Sequence, residues 1–143
     1  MHRLVLRAHV WVVAALIVVV VKLPLPWVLW LVTPWRWWQP YRSVSPDTIA
    51  QAVRRRLARP RQMKRRACLR EGLTLFHFLC LAGHEPEMHF AVFPPDQAPR
   101  PMHAHCWVTL DGHPCSAPPQ QPCAEVLHHS RAAGSQPPNR ILP

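Results

Sequence analysis

The N-terminal third of the chain is dominated by an apolar run that polar residues scarcely interrupt. Residues 10–21 read VWVVAALIVVVV, and Lys22 ends the run just before Pro24 and Pro26. A helix of this length, 12 residues, rises about 18 Å, less than the roughly 30 Å hydrocarbon core of a bilayer. The pattern predicts a hydrophobic, Trp-rich helical segment over residues 1–44, broken by prolines near its middle.

Tryptophans concentrated after this run leave two interpretations of it open. Indole rings beside basic side chains such as Arg36 and Arg42 are typical of a membrane interface. Alternatively, the apolar helix packs on the rest of the domain or on a partner subunit. No small-residue cleavage site follows, so a signal peptide is not expected. The tryptophans are Trp27, Trp30, Trp35, Trp37 and Trp38.

From residue 45 onward, the pattern of apolar and polar residues predicts two helices. Ser45 is a suitable N-cap and Pro46 suits the first helical position, while Pro60 ends this amphipathic helix. Residues 68–82 are apolar on nearly all sides, which predicts a second, largely buried helix, and Gly83 suits its C-cap.

Alternating strands follow the two helices. Residues 87–93 and 103–110 predict strands, and Asp111-Gly112 is a strong signal for a two-residue hairpin turn. Helices followed by antiparallel strands indicate an α+β domain, which we place at residues 45–117. Residues 118–143 are rich in Pro, Gln and Ser and predict an irregular tail, in which residues 124–133 could form a short helix.

Charge narrows the choice of partners. Lys and Arg outnumber Asp and Glu by 17 to 7, a net charge of +10 that favours acidic surfaces. The arginine-rich stretch has no interleaved aromatic residues for base stacking, so a nucleic-acid partner is not expected. Arg55, Arg56 and Arg59 are instead predicted to bind a protein or peptide partner.

The cysteine count bears on the compartment and on candidate sites. Five cysteines, an odd number, argue against a disulfide framework and for reduced thiols in the cytoplasm. His103 and His105, with Cys106, His113 and Cys115, could form a metal site. However, no CxxC or HExxH spacing supports it, and no metal is predicted.

Cys68 is the candidate nucleophile, since it begins the buried helix. A helix N-terminus stabilises a thiolate and offers N–H groups to an oxyanion, and a histidine such as His105 can move the proton. A cysteine opening a helix, followed by a hairpin with a histidine, is the layout of papain-like and transglutaminase-like enzymes. The alternative is a buried structural thiol.

Two stretches, CLREGLTLFHFLCLAG (68–83) and AHCWVTLDG (104–112), resemble the transglutaminase-like leader peptidases of lasso-peptide biosynthesis. The resemblance covers roughly residues 45–117. It implies that Cys68 is the nucleophile, that His105 is the base and that Trp107 lines the site.

The third catalytic position departs from the family pattern. The resemblance implies an aspartate about twelve residues beyond the histidine, where this chain has Ala117. If Asp111-Gly112 forms a two-residue turn, residues 116–118 return alongside His105. Ser116 is then the nearby side chain, so its hydroxyl or a backbone carbonyl would fix the imidazole tautomer.

The resemblance implies a cysteine peptidase that removes the leader from a lasso-peptide precursor without a cofactor, and the reduced cysteines predict that it is cytoplasmic. It also implies a separate leader-binding protein and a macrolactam synthetase as partners. The Trp-rich segment suggests association with the inner face of the bacterial membrane. A catalytically silent scaffold and an acyl-transferring relative remain alternatives.

Overall fold

Four helices precede an antiparallel sheet of five strands, with strand order β3-β2-β1-β4-β5. The computed structural model describes residues 2–58, 67–93, 104–132 and 134–136. The α+β class expected of a transglutaminase-like domain is confirmed. The elements are α1 (His2–Val20), α2 (Leu25–Val32), α3 (Pro46–Leu57), α4 (Ala67–Leu81), β1 (Glu87–Val92), β2 (Ala104–Leu110), β3 (His113–Pro114), β4 (Ala124–Ser130) and β5 (Gly134–Gln136).

The termini of α3 and α4 follow from local sequence. The Ser45 hydroxyl accepts the Thr48 N–H at 3.4 Å, and Pro46 occupies the first position of α3, as predicted. Gly83 follows the end of α4 with φ +84°, a conformation that favours glycine. The sequence therefore sets where both helices begin or end, to within a residue or two.

Helix α4 is the centre of the core, between the sheet and the other helices. Its apolar side chains from Leu73 to Leu81 are fully buried, and α1 packs against the helix through a stripe with helical spacing. Residues of the hydrophobic N-terminal segment thus share one core with α4. The stripe consists of Leu6, Val10, Ala14, Ile17 and Val21.

The opposite face of α1 and much of α2 remain exposed. Of the sixteen exposed large hydrophobic side chains in the described residues, fourteen lie between Leu4 and Trp38. Within the described ranges, no helix combines the length and apolarity needed to cross a membrane.

The prediction of an irregular tail after residue 117 is wrong for the part that the structure describes. Strand β4 pairs antiparallel with β1 along its whole length, and β5 pairs with β4. Residues 124–133 also suggested a short helix, which β4 replaces. The unpaired edge of β1 offers backbone hydrogen bonds to this segment, and no local sequence pattern reveals that edge.

The hairpin turn directs the chain back past the start of β2. Asp111 and Gly112 both have positive φ, 51° and 78°, as the predicted two-residue turn requires. After β3, the N–H groups of Cys115 and Ser116 both donate to the Val108 carbonyl, at 2.8 and 3.4 Å. This irregular return places residue 117 beside β2.

Gly72 lets α4 approach β2 closely. A Cβ atom at this position would lie 2.7 Å from the Sγ atom of Cys106, a buried side chain that faces the helix. That distance is well inside van der Waals contact. Because Gly72 lies about one turn after Cys68, the same close contact also sets the distance between the candidate nucleophile and the sheet.

We expect Gly72→Ala to lower the free energy of unfolding by about 1–3 kcal/mol, since a methyl group must displace α4 or Cys106. Urea unfolding measures the change. In a Cys106→Ala background, where the sulfur is absent, adding Gly72→Ala should be nearly neutral. Equal losses in the two backgrounds would contradict the contact as the cause.

Candidate active site

Cys68 lies in the first turn of α4, at the end of the sheet where β2 begins. Its side chain is half-buried, and the backbone N–H groups of Cys106 and Leu69 help to lower the pKa of its thiol. The N-terminal end of a helix carries partial positive charge. The thiol therefore sits where negative charge on sulfur is stabilised.

His105, near the start of β2, is hydrogen-bonded to the Cys68 side chain. Its Nε2 atom lies 2.8 Å from the backbone carbonyl oxygen of Ala117. A carbonyl can only accept, so Nε2 must carry a hydrogen. In the neutral imidazole this leaves the Nδ1 lone pair for the thiol, which is the arrangement that a general base requires.

The two side chains shift each other's protonation toward an ion pair. Burial raises the pKa of Cys68, but the hydrogen bond to His105, the Cys106 N–H and the charge of His105 together lower it below its ordinary value. The hydrogen bond to Cys68 raises the pKa of His105, burial lowers it, and the Ala117 carbonyl raises it again, with a net increase. Both shifts favour thiolate and imidazolium.

The other four cysteines, all in described residues, have the opposite tendency. Burial raises the pKa of Cys80 to about 12, and burial also raises the pKa of Cys106. Burial also raises the pKa values of Cys115 and Cys123. Cys68 is thus distinguished from every other thiol of the chain by its environment.

We expect iodoacetamide at about pH 6 to alkylate Cys68 at least tenfold faster than any other cysteine, because only thiolate reacts. In His105→Ala, burial acts on Cys68 without the opposing effect of His105, so the pKa of Cys68 should rise. The alkylation rate should then reach its midpoint at higher pH, and Cys68 should no longer react faster than the other cysteines. Mass spectrometry of peptides, followed over time, measures this. The control is His113→Ala, an exposed histidine on the same hairpin. Equal rates at all five thiols would contradict the ion pair.

The orienting contact to His105 comes from the main chain. Ser116, which the sequence offered as an orienting side chain, accepts the N–H of Val108 at 2.9 Å through its hydroxyl instead. The irregular pairing after β3 turns Ser116 toward β2 and leaves the Ala117 carbonyl facing His105. A neutral carbonyl fixes the tautomer but lacks the full negative charge of the aspartate that the resemblance implies.

Trp107 supports the imidazole from the side. Its ring is only 6% exposed and lies nearly parallel to both neighbouring imidazoles, 6.0 Å from His105 and 5.0 Å from His89. Phe93 contacts the outer side of His105 at 6.5 Å between ring centroids. Trp107 therefore packs behind the site and limits how His105 can rotate.

The predicted basic surface is only partly present. Arg56 is buried, with its guanidinium 3.6 Å from the centre of the Trp11 ring, so its prediction as a partner-binding residue is wrong. Arg55 is exposed, and Arg59 lies outside the described residues. Helical spacing put Arg56 on the side of α3 that faces α1, which sequence alone did not reveal.

The potential metal ligands that the structure brings together differ from those that the sequence suggested. His103 lies outside the described residues, and Cys106 faces α4. Within the described ranges, the one set of potential ligands brought together is Glu87, His89 and His128. The pattern of residues 118–143 predicts an irregular tail with a short helix, so the sequence does not indicate that His128 lies opposite His89.

A family model described as the transglutaminase-like superfamily matches residues 15–125, which is 111 of the 143 residues. The chain therefore belongs to this superfamily, which includes cysteine peptidases and acyltransferases and usually carries a Cys-His-Asp catalytic set. The match spans α2, α3, α4, β1, β2 and β3, together with the last six residues of α1 and the first two of β4. No curated protein and no solved structure matches the chain.

Proposed function

We propose that the protein is a cysteine peptidase that removes the leader from a ribosomally made lasso-peptide precursor. The observation that supports it most is the chain of contacts from the Cys68 thiol through His105 to the Ala117 carbonyl. The thiol is activated toward thiolate and the imidazole is held in the tautomer of a general base. The sequence resemblance at residues 68–83 and 104–112 supplies the substrate class.

The proposed reaction proceeds through an acyl-enzyme. The Cys68 sulfur attacks the scissile carbonyl carbon, and the electron pair of the C=O bond moves to oxygen, where backbone N–H groups at the start of α4 stabilise it. The C–N bond then breaks while the His105 imidazolium gives its proton to the leaving amine. Water attacks the thioester, His105 accepts a proton from that water, and the thiolate leaves. The two half-reactions consume one water and need no cofactor.

The proposed partners are a separate leader-binding protein and an ATP-dependent macrolactam synthetase that closes the ring. Both partners are taken from the sequence resemblance, and α1 and α2, which pack on α4, are not proposed as the leader-binding element. Arg55 is the exposed remainder of the basic surface proposed to contact the leader or this partner.

The direct test is mass spectrometry of a candidate precursor incubated with the purified protein and its leader-binding partner. The proposal expects a loss of leader mass, and a slower reaction without the partner. An intact precursor after prolonged incubation with folded protein would contradict it.

A silent scaffold of the maturation complex is the second candidate, favoured by the neutral Ala117 carbonyl at the position of the usual aspartate. Loss of an orienting carboxylate can reduce a triad's rate about 10⁴-fold. Acyl transfer to an amine instead of water is a variant of the enzyme proposal, since both begin with the same thioester. Hydroxylamine traps this shared thioester as a hydroxamate: hydroxamate formed in preference to the free acid at low hydroxylamine concentration would favour transfer to an amine, and free acid as the main product would favour hydrolysis.

We further propose that the enzyme is cytoplasmic and held at the inner face of the membrane. Trp27, Trp30, Trp35 and Trp37 are each more than 60% exposed, and Arg36 lies among them. Exposed indoles beside basic charge suit the headgroup region of an anionic bilayer.

We expect the protein to float with vesicles of phosphatidylcholine and phosphatidylglycerol, with a blue shift of tryptophan fluorescence. Substituting Trp35 and Trp37 by serine should weaken partitioning of the protein onto the vesicles roughly tenfold or more, because the apolar area that the two indole rings would bury in the bilayer is lost. The matched control is the pair Val92→Ser and Val126→Ser, exposed apolar residues on the sheet. Unchanged flotation of the tryptophan variant would exclude this surface.

A further inference from the structure

Three potential metal ligands meet on the face of the sheet that points away from α4. Glu87 and His89 are two residues apart on β1 and so share a face, and His128 on β4 is the register partner of His89. One ligand atom from each lies within 4.8 Å of the others, and His128 Nε2 is 3.6 Å from Glu87 Oε2. Strand pairing alone thus brings two imidazoles and a carboxylate together.

A largely buried carboxylate fixes the tautomer of His89. Its Nδ1 lies 2.7 Å from a carboxylate oxygen of Glu125, and both side chains are largely buried, at 16% and 11% exposure. Because the carboxylate accepts, Nδ1 carries the hydrogen and Nε2 has the lone pair, which now faces the Thr109 hydroxyl at 2.9 Å. A carboxylate behind a histidine is the usual support of a metal-binding imidazole.

We infer that Glu87, His89 and His128 bind a divalent transition metal, with Zn²⁺ the best fit, and that Glu125 positions His89. Two imidazoles and a carboxylate suit Zn²⁺ better than Ca²⁺ or Mg²⁺, and three protein ligands leave a fourth position open. Tetrahedral ligand atoms lie about 3.4 Å apart. Shifts of about 1 Å would therefore close the site, and Glu87, at 47% exposure, has room to move.

The acidic side chains at this cluster also favour a cation, although the chain as a whole is strongly basic. The protein has a net charge of +10 and only seven acidic residues, yet Glu87 and Glu125 both flank this histidine pair. The rings of His89 and Trp107 would separate the cation from His105, since His89 stacks on Trp107 and Trp107 stacks on His105. The inference does not depend on the proposed peptidase activity.

The experiment is calorimetric titration of the full-length protein with ZnCl₂, after iodoacetamide treatment to block accessible thiols. A parallel titration with Co²⁺ reports ligand type, because thiolate ligation adds an intense near-ultraviolet charge-transfer band. We expect one Zn²⁺ per chain, no thiolate band, and a thermal midpoint that rises with Zn²⁺. His128→Gln should reduce affinity at least 100-fold, and Glu125→Gln about 10- to 100-fold.

His113→Gln is the control, an exposed histidine outside the cluster that should leave affinity unchanged. Circular dichroism checks that each variant folds, and Glu87→Gln, at an exposed side chain, replaces His128→Gln if that variant does not. Equal Zn²⁺ affinity in wild type and in folded Glu87→Gln and His128→Gln would overturn the inference. So would a thiolate band in the Co²⁺ spectrum, or loss of binding in His113→Gln.

Discussion

Cys68→Ala is expected to abolish leader removal, with a fall in rate of about 10⁴-fold or more, to the limit of detection. Without sulfur no acyl-enzyme can form, and His105 has no thiol to activate. Removing the nucleophile of a catalytic triad typically reduces kcat by up to about 10⁶-fold. Quantitative mass spectrometry of precursor and product over time measures the effect.

Cys115→Ala is the matched control for this loss. Cys115 is also half-buried and directly follows β3, but its thiol is directed at the His113 carbonyl. It should retain nearly full activity. Cleavage that persists in Cys68→Ala would assign the reaction to another nucleophile, whereas loss in both variants would point to a structural effect.

Ala117→Asp is expected to raise kcat/KM by about 10- to 100-fold. The main-chain carbonyl of Ala117 orients His105 but carries no net charge. A carboxylate there would stabilise the imidazolium, and the side chain of residue 117 is exposed and has space. The gain should stay below about 10⁴-fold, since the carbonyl already fixes the tautomer.

The pH dependence of activity distinguishes the effect of a charge at residue 117 from the effect of the side chain's shape. Activity requires thiolate, which forms above the lowered pKa of Cys68, and imidazolium, which persists below the raised pKa of His105. Ala117→Asp should move the alkaline limb to higher pH, whereas Ala117→Asn, similar in shape but neutral, should not. An equal gain in both variants, or no gain in a folded Ala117→Asp, would contradict electrostatic stabilisation by residue 117.

Local signals in the sequence determined the helices α3 and α4, the hairpin and the elements that carry the two candidate site residues. A capping serine, a proline at the first helical position and a glycine at the C-cap act within a few residues, so their effects do not depend on the rest of the fold. Asp111-Gly112 likewise fixes the return of the chain. The positions of Cys68 and His105 on these elements followed directly.

Only the tertiary structure decided which surfaces and partners those elements present. Arg56 is buried on Trp11, and the Ala117 carbonyl contacts His105, because helix packing and an irregular strand return place them there. Strand β4 exists because β1 has a free edge, and this pairing sets His128 opposite His89. Such contacts join residues far apart in the chain, and the free energy that selects them comes from packing and backbone pairing that no local pattern records.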